Sequence, residues 1–332
     1  MNHKERVFIH IGHPKAASTT LQWNLFTNHP QLHYLGPSFC TGTQKKTLDE
    51  ILFLSKSELK ADQAREINKF WRQLLVSDEV LYTKNEVLEK FKESLNNNNT
   101  GIISNRKSNV ISHEGMLNSC IGDNGLKAKR AYELFPQAKI IVVIRNQLDV
   151  LRSLYDMHPR APMSGVAFNK VLSIKDWLQF NFDKLERGYL VGMMYSEHIS
   201  YYKNIFGKDS VKVLIFEDLK YHPHAFSKEI SGFMGIDDSI SRELLLKSPK
   251  NTSQDHFIHN FREKILPGIQ FSKLVPDKTH QYLVEKLTKA LPHKKTQVPE
   301  EYQEKIRDFY KETNQKLITE LGIDVAQYGY PF

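Results

Sequence analysis

The sequence is poor in cysteine and has no long apolar run. Its two cysteines, Cys40 and Cys120, cannot form a disulfide framework, and neither belongs to a Cys-x-x-Cys pair. No stretch approaches the roughly 20 apolar residues that a membrane span requires, and the apolar run near the N-terminus is too short for a secretion signal. We therefore expect a cytoplasmic protein with reduced thiols and no integral membrane segment.

Motifs for nucleic acid and for metal are missing as well. The formal charge is +8, from 46 basic and 38 acidic residues, but the basic residues are scattered. Neither a zinc-finger spacing nor an aromatic–basic RNA-binding motif is present, so nucleic acid is not the expected partner. His256 and His259 lack a carboxylate at ligand spacing, and we interpret His222 and His224 as part of a surface loop. The charge excess favours an anionic ligand, and we expect no metal site.

Apolar patterning predicts the fold class. Four short runs rich in Val and Ile have the character of buried parallel strands, at residues 6–12, 108–113, 138–145 and 210–218. Long helical patterns separate these runs, so the order predicts a doubly wound α/β sheet with helices on both faces.

The rest of the chain is expected to be mainly helical. Helices are predicted at 223–234, 239–247, 278–290 and 299–321. Neither an internal repeat nor a long linker divides the sequence. We expect residues 1–332 to form a single domain. Its sheet core should span about 6–236, and its helical C-terminal part about 237–332.

The stretch HPKAASTT after the first predicted strand has the composition of an anion-binding loop. The chain leaves the strand at Gly12, turns through Pro14 and enters a helix that we expect to begin near Ala16. A helix N-terminus at the carboxyl end of a parallel strand presents N–H groups to phosphate or sulfate. Lys15 adds a full positive charge. Three hydroxyls add hydrogen-bond donors, those of Ser18, Thr19 and Thr20. The alternative is a plain strand–helix turn with hydroxyl caps.

A second candidate anion site follows the third predicted strand. Arg145 ends that strand, and Ser153 lies eight residues later on the expected next helix. A guanidinium fork and a hydroxyl can converge on a phosphate, although Arg145 could instead pair with Asp149. Two such sites indicate a ligand phosphorylated at two separated positions. The first loop is not a Walker A motif, because no Gly adjoins Lys15 and the third strand ends without a carboxylate for magnesium.

Together the two stretches resemble the sulfotransferase family, in its bacterial form. The loop is similar to the family's 5′-phosphosulfate-binding loop, Lys-Thr/Ala-Gly-Ser/Thr-Thr, and Arg145 and Ser153 have the separation of its 3′-phosphate site. Residues 201–236 resemble the bacterial strand that runs into Glu-Asp-Leu and then a helix. The resemblance implies a P-loop-like fold and metal-independent sulfuryl transfer from 3′-phosphoadenosine 5′-phosphosulfate (PAPS). It implies donor contacts from Lys15, Ala16, Ala17, Ser18, Thr19, Thr20, Arg145 and Ser153.

Ala17 departs from the family pattern, because glycine is usual at this position. Alanine adopts only right-handed helical φ and ψ at low cost, so the change is mild if Ala17 already has that geometry. The resemblance also places Asn251 and Ser253 in a loop that closes over the nucleotide. A plain capping turn explains these two residues equally well.

A catalytic base is expected at the end of the second predicted strand. In-line transfer needs a group that takes the acceptor's proton and a cation at the leaving oxygen, where Lys15 stands. Ser112-His113-Glu114 matches the Ser-x-Glu of bacterial relatives, whereas other branches of the superfamily use a histidine. We favour Glu114 as the base, with His113 as the alternative. Successive strand side chains point to opposite faces, so only one of the two should face the transferred group, unless the strand has already broken into a turn at this point.

The acceptor pocket is expected to involve residues 40–100 and 156–205. Aromatic residues in these segments would suit stacking on a sugar or flat ring, although core packing explains them equally well: Trp71, Tyr82, Tyr155, Phe168, Trp177, Tyr189 and Tyr195. We favour a carbohydrate or glycolipid hydroxyl as acceptor, with a small-molecule alcohol or amine as the alternative. Alternatives of another class are a nucleotide-dependent kinase and a non-catalytic nucleotide-binding protein.

Overall fold

The computed structural model describes six stretches of the chain: residues 6–37, 70–96, 108–162, 166–168, 170–247 and 296–332. The helix predicted at 278–290 lies outside the described residues, as do Asn251, Ser253, His256 and His259.

Five parallel strands form one sheet in the order β2-β3-β1-β4-β5. The strands are β1 (Val7–Gly12), β2 (Leu32–Pro37), β3 (Ser108–His113), β4 (Lys139–Ile144) and β5 (Val211–Ile215). β1 is central, and its register pairs Ile11 with His113 of β3 and Gly12 with Val143 of β4. Because every pair is parallel, the carboxyl ends of all five strands lie at the same edge of the sheet.

The edge strand β2 is not among the four strands predicted from the sequence. Its sequence LHYLGP lacks the continuous Val and Ile run of β4, and its register with β3 shifts between Tyr34 and Pro37. The last predicted strand is too long, because β5 ends at Ile215 and the chain turns into a helix at Phe216. That turn brings the Glu217 carboxylate to the Asn146 N–H, 3.0 Å away.

Helices follow most of the strands. Helix α1 begins at Ser18–Thr20 and continues as a π-helix over Leu21–Phe26. The others are α2 (Lys84–Asn96), α3 (Asn124–Leu134), α4 (Gln147–Met157), α5 (Ile174–Asp183), α6 (Tyr195–Phe206), α7 (Phe216–Tyr221), α8 (Pro223–Met234), α9 (Asp238–Leu246) and α10 (Glu300–Thr319), and residues 70–75 are also helical. The helices predicted at 223–234, 239–247 and 299–321 correspond to α8, α9 and α10.

The sheet buries apolar side chains on both faces, as a doubly wound sheet must. Along β4, Ile141 and Val143 join a cluster with residues of α1, α8 and α9. Ile140 and Val142 join the opposite cluster, which holds residues of α3, α4, α6 and α10. This alternation follows from the two-residue period of a strand. The C-terminal helix belongs to the second cluster, where the Tyr310 hydroxyl donates to the Leu190 carbonyl at 2.9 Å.

Candidate active site

The loop after β1 contains two residues with left-handed backbone geometry. Lys15 has φ 73° and Ala17 has φ 64° and ψ 5°. Ala17 is the N-cap of α1, so the helix begins at Ser18 and not near Ala16 as expected. The condition for a mild effect of alanine is therefore not met, because a left-handed conformation costs a non-glycine residue about 1–2 kcal/mol.

Main-chain and hydroxyl donors are concentrated in this loop. Left-handed residues next to right-handed ones turn successive N–H groups toward one concave side, which is an arrangement that binds anions. Ala16 is buried between the two left-handed residues, and its N–H donates to the His13 carbonyl at 3.2 Å. Ser18 is buried too, and its Oγ has no hydrogen-bond partner among the described residues. Thr19 and Thr20 are half-buried.

Lys15 lies between two carboxylates and a second cation. Its Nζ is 3.7 Å from the Met157 sulfur. Burial lowers the pKa of Lys15, and the positive charge of Arg145 lowers that pKa further, while Glu114 and Asp156 raise it. The loop after β1 therefore brings the Lys15 ammonium group close to Glu114, the first residue after β3.

Glu114 begins a 3-10 turn, Glu114–Leu117, directly after β3. The residue is exposed to solvent, yet the surrounding protein desolvates its carboxyl group and raises its pKa. Lys15 lowers that pKa, as does the Ser18 hydroxyl, which lies near the carboxylate without meeting hydrogen-bond geometry. An exposed carboxylate so closely surrounded by protein lies in a concavity, and a raised pKa suits a base that works near neutral pH.

Two tyrosine hydroxyls lie near the same carboxylate. Burial raises the pKa of Tyr34 and of Tyr189, and the negative charge of Glu114 raises both further. Tyr34 belongs to β2, the strand that the sequence did not predict. These neutral hydroxyls are hydrogen-bond donors beside Glu114, and no pattern in the sequence indicated Tyr34.

His113 occupies a different environment from Glu114. Its side chain is 5% exposed and packs against Trp71, with ring centroids 4.7 Å apart. Its Nδ1 accepts a hydrogen bond from the Gly115 N–H at 2.7 Å. Burial lowers the pKa of His113 to about 3. Of the two residues considered as base, the structure brings Glu114 to Lys15 and holds His113 in the core. Glu114 lies in the turn after β3, so the alternation of faces along the strand does not apply to it.

Arg145 follows β4 and reaches across to the loop of β1. Its Nη1 donates to the Lys15 carbonyl at 2.7 Å, and its guanidinium carbon lies 4.3 Å above the centre of the Phe216 ring. Its Nε is buried and has no hydrogen-bond partner among the described residues. Among the described residues Arg145 and Asp149 form no ion pair, and Asp149 accepts from Arg152 at 2.8 Å. The two candidate anion sites are thus joined directly.

Asn146 and Glu217 support this strand end, and the sequence-based prediction did not include them. The Glu217 carboxylate accepts from the Asn146 N–H at 3.0 Å and from the Tyr330 hydroxyl at 3.1 Å. Asn146 caps α4 by accepting from two N–H groups of its first turn. An asparagine directly before a helical pattern is a recognisable N-cap signal, and this signal could have identified Asn146 from the sequence. Ser153 lies half-buried, two turns along α4.

The aromatic residues considered for acceptor stacking belong mostly to the core. Trp71, Trp177 and Tyr195 are almost fully buried. Tyr189 stacks on Trp177 with an interplanar angle of 15°, and the Tyr155 hydroxyl donates to the Leu172 carbonyl at 2.9 Å. Core packing is therefore the observed role of these rings.

The six described stretches contain neither a metal-binding cluster nor a membrane-spanning helix. They contain no group of three or more His, Cys, Asp or Glu side chains that could hold a metal ion. None of their helices combines the length and the apolarity needed to cross a membrane.

Comparison with known proteins identifies the family. A family model described as "Sulfotransferase domain" matches residues 127–318, which is more than half of the chain. The chain therefore belongs to the sulfotransferase family, and it is a PAPS-dependent sulfotransferase with a P-loop-like α/β fold. The matched region includes Arg145 and Ser153 but not Lys15 or Glu114, whose roles depend on the geometry above.

One of the similar solved structures, the first below, agrees with this fold. A sulfotransferase from Alicyclobacillus acidocaldarius is 15% identical, with a TM-score of 0.53 and 98% of each chain covered. A mouse sulfotransferase, SULT7A1, complexed with PAP is 14% identical, with a TM-score of 0.42, 86% of this chain and 84% of that chain covered. A sulfotransferase domain from the curacin biosynthetic pathway is 12% identical, with a TM-score of 0.46 and coverage of 97% and 99%. No curated protein matches the chain.

Proposed function

We propose that this sulfotransferase passes the sulfuryl group of PAPS to an acceptor hydroxyl by in-line displacement, with Glu114 as the general base. The observation that carries the proposal is the joining of three groups at one edge of the sheet. Arg145 donates to the Lys15 carbonyl at 2.7 Å, and the charges of Lys15 and Glu114 act on each other.

The chemistry of the donor residues fits an oxyanion ligand at two positions. The loop would hold the 5′-phosphosulfate through its main chain and side chains: Lys15, Ala16, Ala17, Ser18, Thr19 and Thr20. Arg145 and Ser153 would hold the 3′-phosphate. The Ser18 hydroxyl and the Arg145 Nε–H support this assignment, because both are buried donors without a partner among the described residues. Asn251 and Ser253, outside those residues, are proposed to close over the nucleotide.

The proposed reaction is a single displacement at the sulfur atom of the donor. The Glu114 carboxylate takes the proton of the acceptor hydroxyl, and the acceptor oxygen forms a bond to sulfur. The bond between sulfur and the bridging phosphate oxygen breaks, and its electron pair stays on the phosphate of adenosine 3′,5′-bisphosphate. The Lys15 ammonium stabilises the charge that develops on that oxygen. Because desolvation by the surrounding protein raises the pKa of Glu114, its carboxylate is a stronger base than that of an ordinary surface glutamate.

The acceptor is proposed to be a carbohydrate or glycolipid hydroxyl, with a small-molecule alcohol or amine as the second candidate. The Tyr34 and Tyr189 hydroxyls support a hydroxyl-bearing acceptor, because burial and the negative charge of Glu114 keep both protonated and able to donate hydrogen bonds. A screen of both acceptor classes with PAPS, read as the mass gain of one sulfate, decides between them.

Binding of adenosine 3′,5′-bisphosphate tests the donor site. We expect the bisphosphate to raise the melting temperature in the presence of EDTA, equivalent to roughly 3 kcal/mol at a hundredfold excess over Kd. ATP with Mg²⁺ should give no such shift, and the reverse result would indicate a kinase.

Arg145→Ala should weaken bisphosphate binding about ten- to a hundredfold because a charge-assisted contact is lost. Arg152→Ala, which breaks a partly exposed ion pair, is the matched control.

Glu114→Gln tests the base. The substitution keeps shape and hydrogen bonding but removes basicity, so kcat should fall by about 10²–10⁴ while the Kd of the bisphosphate stays the same. Turnover close to that of the wild type would exclude Glu114 as the base.

A further inference from the structure

Lys127 carries a buried ammonium group that the proposed reaction does not use. The residue is 1% exposed and lies in the first turn of α3, where the helix dipole disfavours a cation. Its Nζ donates three hydrogen bonds, to the Gly115 carbonyl at 2.9 Å, the Asn118 carbonyl at 2.8 Å and Asn124 Oδ1 at 2.9 Å. These three bonds use every donor of the ammonium. A buried charge is costly, so a complete set of acceptors indicates a specific role.

The acceptors of Lys127 belong to, or brace, the turn that carries Glu114. Gly115 is the second residue of that turn and Asn118 is its C-cap. Asn124, the third acceptor, donates from Nδ2 to the Leu117 carbonyl at 3.3 Å. Lys127 and Asn124 together thus hold three of the four main-chain carbonyls from Gly115 to Asn118.

Gly115 is held from its other side too. Its N–H donates to His113 Nδ1 at 2.7 Å. A Cβ on Gly115 would lie 2.3 Å from Ile121 Cδ1 and 2.7 Å from the His113 ring, so both side chains pack closely against the glycine. His113 and Lys127 therefore fix the peptide groups on the two sides of Gly115, and with them the direction in which the Glu114 side chain leaves the turn.

We propose that Lys127 is a positioning residue for Glu114, an inference that rests on the proposed role of Glu114 as base. The ammonium fixes the carbonyls of the turn, and the turn holds the carboxylate beside Lys15 and Ser18. A base must lie within hydrogen-bond reach of the proton that it takes, and a displacement of about 1 Å can cost a hundredfold in rate.

A double-mutant cycle separates positioning from a general structural effect. Lys127→Met keeps an unbranched apolar stem and removes the ammonium, so kcat should fall about 10- to 100-fold with an unchanged Kd for adenosine 3′,5′-bisphosphate. In the Glu114→Gln background, the same change should lower kcat by less than about twofold, because there is no longer a base to position. Lys129→Met, at an exposed site on the same helix, is the control and should change neither value.

The outcomes of this cycle distinguish a positioning role of Lys127 from a general structural role. An equal fall of kcat in both backgrounds overturns the positioning role and leaves Glu114 as the base. Wild-type turnover of Glu114→Gln overturns both. If Lys127→Met does not fold, Asn124→Ala removes one acceptor and keeps the ammonium, and it should lower kcat only when Glu114 is present. Unchanged kcat in Asn124→Ala overturns the proposal. If the wild-type protein does not bind the bisphosphate, the proposed donor site is wrong. This result is obtained without any variant, so it is distinct from a failure of the Lys127 proposal.

Discussion

Ala17 shows how a single residue can carry strain at a binding loop. Its left-handed geometry is one that glycine adopts freely and alanine does not, and Ala17 directly precedes α1. The Lys15 carbonyl, two residues earlier, accepts the Arg145 hydrogen bond, so the surrounding contacts hold the strained conformation in place. We infer that the loop is stable in this shape because its neighbours determine it.

Ala17→Gly should stabilise the protein. Relief of the left-handed strain is worth about 1–2 kcal/mol, and the greater freedom of glycine in the unfolded chain offsets part of it, leaving a net gain of about 1 kcal/mol. Urea unfolding of the two proteins measures this difference. Ala16→Gly is the matched control, because Ala16 is buried and lacks a positive φ, so that variant should be destabilised. A loss of stability in Ala17→Gly would show that the strain is not stored at this residue.

The backbone geometry of this loop was not predictable from the sequence. The composition of the stretch and its place after a strand indicated an anion site, but the alanine at position 17 favoured right-handed geometry. Arg145, which contacts this loop at the Lys15 carbonyl, is 130 residues away in the sequence, and a local pattern does not reveal such a contact. Lys127 was missed for the same reason, since a lysine in a helical pattern gives no sign of burial.

At the scale of elements, the ends of β1 and β3 carry a set of buried histidines. Burial lowers the pKa of His10 to about 3, of His13 to about 4 and of His113 to about 3. His10 Nδ1 lies 2.7 Å from Ser112 Oγ, and so links the two strands directly. The folded protein therefore keeps all three rings neutral at pH values where the unfolded chain protonates them.

Stability should fall as the pH drops below the unfolded histidine value of about 6.5. Above that pH the three histidines are neutral in both the folded and the unfolded protein, so no stability is lost. Below it only the unfolded state gains protons, and the loss continues until the folded pKa values of about 3 to 4 are reached. At pH 5 each histidine should cost about 2 kcal/mol in the free energy of unfolding.

Urea unfolding at pH 7, 6 and 5 measures this dependence. His10→Gln should reduce the slope, whereas His222→Gln, at an exposed helix cap, should leave it unchanged. A free energy of unfolding that stays constant from pH 7 to 5 would contradict the buried, neutral state of these rings.

The elements that the sequence predicts well are those whose own residues determine them. β4 is a nearly continuous run of Val and Ile, β1 is mostly apolar, and α8 has a proline at its first position and a glycine just beyond its end. β2 depends on pairing with β3, and its mixed sequence gives no independent signal. The end of β5 depends on the contact of Glu217 with Asn146, which is a tertiary interaction.

At the scale of the whole molecule, the C-terminal residues reach back to the strand end that carries Arg145. Asn146 Nδ2 donates to the carbonyls of Tyr328 and Gly329 at 3.1 and 2.6 Å. The Tyr330 hydroxyl donates to Glu217 at 3.1 Å. The residues after α10 therefore stabilise Asn146 and Glu217, which lie next to the proposed 3′-phosphate site.

Removal of residues 328–332 should lower both stability and bisphosphate affinity. Asn146 and Glu217 would each lose a partner, and a buried polar group without a partner costs about 1–3 kcal/mol. Thermal unfolding and calorimetric titration with the bisphosphate measure the two effects. Tyr330→Phe keeps the ring and removes one hydrogen bond, so it should show a smaller loss of the same kind. A shortened protein with wild-type stability and affinity would exclude this support.

The central position of β1 also has a consequence for biosynthesis. β1 pairs only with β3 and β4 among the described strands, and His10 and Ser112, which bond across the first pair, are 102 residues apart. Lys15 and Arg145 are 130 residues apart. On the ribosome, β1 emerges well before β3 and β4, its two partners, and closing such long loops slows folding. The loop after β1 is therefore translated before the residues that contact it, and it acquires its shape only after Arg145 has been synthesised.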